Sequence, residues 1–91
     1  MAVYKTFWKK LLSDPEVLKV YEAHKAEFEA AMALIKARLA AKMTQLDVAR
    51  RMRTSQAQIA RLESGQHFPS MNSIHKYAQA VNRKINLSIN P

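Results

Sequence analysis

The side chains that could do covalent or acid–base chemistry are few, and their spacing does not assemble a centre. Histidines stand at His24, His67 and His75 with no paired carboxylate, and the chain has no cysteine. A nucleophile needs a base within hydrogen-bond reach, and a metal needs several converging ligands; no such set can be drawn. The reading is a binding protein, not an enzyme, with no metal and no cofactor. Hydrogen-bond chemistry is richer. Thr44 is followed three residues on by Asp47, and Ser55 by Gln58. In each pair the hydroxyl can accept from an orphan N–H of a first helical turn while the later side chain reaches back to the cap. The two starts lie eleven residues apart, so the first helix has room for barely two turns. Two short capped helices this close predict a helix-turn-helix over Thr44–Gly65, and with it DNA binding.

The flanking residues supply what must hold such a motif. Val48, Ala49 and Met52 are expected to face inward from the first helix, with Arg50 and Arg51 pointing away. Ala49 is small where two helices cross closely. Arg53 occupies the turn, a place where a left-handed backbone usually calls for glycine. In the second helix Ile59 and Leu62 face the core, Gln56, Ala57, Ala60 and Arg61 the opposite side, and Gly65 closes the helix as its first residue beyond the cap. After a loop at 66–69, Ser70 caps a last helix whose inner face is Ile74, Tyr77, Ala78 and Val81, and Asn82 stops it.

Before the motif, Ser13-Asp14-Pro15-Glu16 is a helix start, with proline at the first position and acids at the positive dipole end. Residues 15–41 have almost no breaker; they make one helix or two meeting near Lys25, and the length favours two. Tyr21, Phe28, Met32, Ile35 and Leu39 form their apolar stripe. In residues 1–12, Tyr4, Phe7, Trp8, Leu11 and Leu12 fall on one helical face, with Lys5, Lys9 and Lys10 off it. That helix folds back on its own domain, lies in a partner's groove, or rests on a membrane surface. At the other end, residues 85–89 alternate apolar and polar, a strand period. A single strand makes no sheet, so it either pairs with its copy in a second subunit or packs as an extended tail.

Ninety-one residues, 48% of them hydrophobic, suit one small folded domain that gains from dimerisation or a partner. The formal charge is +8, and residues 43–91 carry seven Lys/Arg against only two acids, Asp47 and Glu63. Such a balance attracts phosphate backbones and makes binding salt-dependent. No apolar run approaches the length of a membrane span, and residues 1–12 lack a signal-peptide core. A soluble protein without membrane contact is expected, and the absence of cysteine fits a reducing cytoplasm.

Thr44-Gln45, Ala49, Ser55-Gln56, Ile59, Leu62-Glu63-Ser64-Gly65 and the Pro69-Ser70 helix start resemble the Cro/cI-like, or Xre, helix-turn-helix family. The wider pattern, with the long helical stretch before Thr44 and a short terminal strand, is similar to HigA-type antitoxins. The resemblance implies a mainly α, lambda-repressor-like bundle over residues 26–84. Residues 1–25 would be a toxin-binding helical extension, and 85–91 a short C-terminal β-strand and dimer contact. It implies that the second motif helix enters the major groove N-terminus first. Gln56 then pairs with adenine, Arg61 with guanine and Ala57 with a thymine methyl. Thr44, Gln45, Ser55 and Ser64 hold the backbone, Gln45 and the two serines on phosphates. Gln58 completes the cap, reaches DNA, or both. Glu63 is expected to form a partly buried ion pair with Arg38. Lys42 and Arg53 depart from the family's usual glycines, so both preceding helices are expected to end differently.

The function so implied is an antitoxin that binds a palindromic operator as a homodimeric autorepressor and neutralises a HigB/RelE-like toxin. Tyr4, Phe7, Trp8, Leu11, Leu12 and Tyr21 would form the toxin contact. The alternative is a stand-alone Xre-family transcriptional regulator.

Overall fold

The computed structural model describes residues 9–10 and 13–85. Five helices lie wholly within them: α1 (Pro15–Ala23), α2 (Lys25–Ala40), α3 (Gln45–Met52), α4 (Gln56–Leu62) and α5 (Met71–Val81). No strand occurs among the described residues. The terminal strand expected over residues 85–91 lies outside them except for Ile85, which is not in a strand and packs partly buried against the core. The N-terminal aromatic face of Tyr4, Phe7, Trp8, Leu11 and Leu12 also lies outside the described residues.

Local sequence explains where each helix begins. Asp14, Thr44, Ser55 and Ser70 each sit in extended backbone and accept from an N–H of the following turn, which satisfies one of the orphan donors there. At α3 the exchange is reciprocal: Asp47 N donates to Thr44 Oγ1 at 3.0 Å and Thr44 N to Asp47 Oδ2 at 2.9 Å. These bonds hold the Asp47 carboxyl below the usual carboxylate range, backbone bonding first, with Arg50 and Arg51 adding to the effect. The stretch before the motif is two helices that meet at His24, whose backbone (φ −123°, ψ 31°) leaves the helical region. The break lets the Tyr21 ring stack on Phe28 at 5.8 Å while His24 meets the same ring edge-on.

The core is Leu34, Val48, Ala49, Ile59, Tyr77, Ala80 and Val81, drawn from α2 through α5. Burial of these branched and aromatic side chains is the main apolar contribution to folding. It corrects two expected faces. On α2 the buried positions are Ala30, Ala31 and Leu34, while Phe28, Met32 and Ile35 are half-buried and Leu39 is exposed. The helix approaches through its small residues and leaves the large stripe at the rim. On α5, Ala80 is buried and Ala78 half-buried, so the inner face runs through Ile74, Tyr77, Ala80 and Val81. α1 buries no residue at all.

The helix ends bring a further correction. Lys42 (φ 57°) and Arg53 (φ 54°) both adopt the left-handed conformation in spite of their side chains, as does Asn82 (φ 53°). Each turn carries the same pair of bonds back into its helix. Met43 N donates to Arg38 O and Lys42 N to Leu39 O; Thr54 N donates to Ala49 O and Arg53 N to Arg50 O. These are the bonds that occupy the last orphan carbonyls when a left-handed residue ends a helix. The helices therefore end as they would with glycine, at a cost in strain. The one glycine lies elsewhere. α4 ends at Leu62 with Glu63 as its cap, and Gly65 (φ 74°) stands two residues beyond. A Cβ there would run into the Phe28 ring.

Candidate nucleic-acid interface

The motif rests on one buried carboxylate. Glu63, placed at the end of α4, is 3% exposed at its side chain and lies against Arg38 of α2, which is 13% exposed. The guanidinium donates twice, Nε to Oε2 at 2.9 Å and Nη2 to Oε1 at 3.0 Å, and its Nη1 donates to the Met43 carbonyl at 3.0 Å. Two further donors complete the shell: Tyr77 Oη to Oε2 at 2.6 Å and Gln45 Nε2 to Oε1 at 3.1 Å. Four donors on two oxygens are what keep a buried charge tolerable. Burial alone would lower the Arg38 pKa, but the Glu63 hydrogen bond and charge overcome it and raise the value. Burial, with Glu63 adding to it, drives the Tyr77 phenol far above its ordinary range. The phenol is a fixed donor, and α2, α3, α4 and α5 are tied to a single group.

On this base the two helix starts are fixed. Thr44 caps α3 and Gln45 is its first residue, half-buried with its amide leaning on Glu63. One amide hydrogen is thereby committed, and the other amide groups remain for an outside partner. Ser55 caps α4, its Oγ accepting from Gln58 N at 3.2 Å. Gln56, Ala57, Gln58, Ala60 and Arg61 are all exposed, opposite the fully buried Ile59. A seven-residue helix with one side in the core thus presents amides, a methyl and a guanidinium on the other. These groups match the donors, acceptors and methyl contacts that base edges in a major groove require. Ser64 is placed differently. Its hydroxyl donates to the Arg61 carbonyl at 2.7 Å and accepts from Gln66 N at 3.2 Å, so both functions are used within the turn.

Arg50 is exposed on α3, whereas Arg51 does not simply point away: its Nη1 donates to the Ala80 carbonyl of α5 at 2.9 Å. It closes an orphan carbonyl near the end of α5 and fastens α3 to it. Tyr21, expected as a partner contact, is half-buried and stacked on Phe28. Two parts of the site were missed in the sequence, Tyr77 as a partner of Glu63 and Gln45 as another. The signal was there for Tyr77, since a buried tyrosine needs an acceptor for its hydroxyl.

Among the described residues no group of His, Asp and Glu could hold a metal, and no helix is long and apolar enough to cross a membrane. A family model described as helix-turn-helix matches residues 34–87, which covers α3, α4, α5 and the part of α2 that carries Arg38. No curated protein and no solved structure matches the chain.

Proposed function

The chain belongs to the Xre/Cro-type helix-turn-helix family of DNA-binding regulators, and from that premise we propose that it is the antitoxin of a type II toxin–antitoxin pair. In this reading residues 26–84 bind operator DNA as an autorepressor. Gln56, Ala57, Gln58 and Arg61 face the bases. Thr44, Gln45 and Ser55 lie along the phosphates together with Ser64, whose hydroxyl must leave the Arg61 carbonyl to donate to one. Residues 1–25 cover a HigB/RelE-like toxin through Tyr4, Phe7, Trp8, Leu11, Leu12 and Tyr21. The observation that carries the second role is the state of α1. It lies outside the matched span, buries no residue and exposes Leu18 and Val20, which are 38% and 55% accessible. An apolar face left unused by its own core suits a protein partner.

The operator reading takes the chain as a homodimer on a palindromic site, with half-sites about one helical turn apart. Beside α5 lies an open groove of about 550 Å³ whose lining mixes apolar Met71, Ile74, Ala78 and Ile85 with polar side chains, and in this reading the second copy docks there. Met71 is 73% exposed on its rim.

Deleting residues 1–25 tests the whole reading. The truncated chain should keep operator binding and fail to suppress the toxic product of the neighbouring reading frame. A truncated chain that instead loses folding or dimerisation, from a full chain that suppresses no toxin, would assign the protein to the alternative, a stand-alone regulator. For the DNA face, Gln56→Ala should relax sequence preference while Gln45→Ala weakens all sites alike.

A further inference from the structure

Among the described residues, three turns place a non-glycine residue in the left-handed region, and they are not equivalent. Asn82 belongs to a residue type that visits this region readily; Lys42 and Arg53 do not. Glycine would end both helices with the same hydrogen bonds and without strain. The two strained residues share a setting that Asn82 lacks. Lys42-Met43-Thr44-Gln45 and Arg53-Thr54-Ser55-Gln56 repeat one pattern: a left-handed cation, a spacer, the capping hydroxyl, and the glutamine that opens the helix. Each cation thus stands two residues before a cap of the motif.

Their side chains also differ from the other arginines at helix junctions. Arg38 is bonded to Glu63, Arg51 to the Ala80 carbonyl and Arg83 to the Ala40 carbonyl. The Lys42 and Arg53 residues are exposed, and their side chains make no hydrogen bond or ion pair among the described residues. Strain retained at an exposed position, by a charge with no internal use, points to an external one.

We propose that Lys42 and Arg53 are phosphate-contacting cations, each neutralising a DNA phosphodiester beside the glutamine it precedes. The inference rests on the DNA-binding reading above and adds to it two contacts. It also gives the strain a function: glycine would serve the fold better, and the cation serves the complex.

The two roles can be separated because they have opposite signs. The probe is a 30-base-pair mixed-sequence duplex titrated with the full chain at several salt concentrations, alongside thermal melts of the protein alone. Lys42→Gly and Arg53→Gly should each raise the melting temperature, by about 4 °C. Each should also weaken DNA binding by about fivefold and lower the slope of log affinity against log salt by about 0.9. Lys42→Arg and Arg53→Lys should retain the slope, and Lys19→Gln, which removes a charge from α1, should leave it unchanged. Glycine variants that melt higher yet bind with the original salt slope would overturn the proposal while leaving DNA binding intact. A wild-type chain that does not bind the duplex at any salt would overturn the DNA-binding reading and this inference together.

Discussion

α1 and the α3–α4 pair are both short amphipathic helical units, yet they spend their apolar side chains in opposite ways. In the motif, Val48, Ala49 and Ile59 are fully withdrawn into a shared core, and the polar face of α4 is left to solvent. In α1 nothing is buried, and Leu18 and Val20 stand beside its charged residues on the outside. A helix of nine residues has little stability of its own in water. The motif helices are held by tertiary packing, while α1 hangs on the His24 junction and the Tyr21–Phe28 stack. The motif is a surface made rigid by what lies beneath it. α1 rests on α2 only through contacts such as the Tyr21–Phe28 stack and buries none of its own residues, so Leu18 and Val20 keep apolar area accessible.

Substitutions beneath the motif should therefore cost far more than any in α1. The largest effect is expected for Glu63→Ala, which strands Arg38 and the Tyr77 hydroxyl without their acceptor. A loss of about 3–5 kcal/mol in denaturant unfolding follows from breaking one side of a buried pair. A loss below about 1 kcal/mol would break the contrast. Gly65→Ala comes next. It combines a left-handed backbone with a collision against the Phe28 ring, and about 1–3 kcal/mol should be lost as that ring is displaced.

A smaller effect is expected from acid. The Asp47 carboxyl is held below its ordinary value by the Thr44 cap. Because the folded pKa lies below the unfolded one, the stabilisation is fully present above the unfolded value and is lost as pH falls through the folded value. Acid titration followed by NMR should show the start of α3 loosening, and Asp47→Asn should remove that transition. The smallest effect is expected in α1. The double substitution Leu18→Ala and Val20→Ala should change unfolding free energy by less than about 0.5 kcal/mol. It should still impair capture of the partner protein. A large stability loss there would mean that α1 is part of the core after all.

What could be read from residues alone is what depends on neighbours in the chain. The caps at Asp14, Thr44, Ser55 and Ser70 were legible because each hydroxyl or carboxylate meets an N–H two or three residues on. The exposed face of α4 was legible because Ile59 sets the helix phase. The Arg38–Glu63 pair came from resemblance, since the partners are 25 residues apart and nothing local joins them.

Composition and short-range pattern thus determined that this chain is helical, where four of its helices begin, and that it carries a helix-turn-helix. Tertiary structure alone decided which α2 residues enter the core, because the crossing selected Ala30, Ala31 and Leu34 over the larger stripe. It decided that Glu63 gathers Gln45 and Tyr77 from 18 and 14 residues away, and that Arg51 clasps α5. It also decided that Lys42 and Arg53 bear left-handed backbones and that Gly65 must yield to Phe28. A cap is a bond within one helical turn and is written in the order of residues. A core face or a buried network is a choice among distant partners, and only the packed chain makes it.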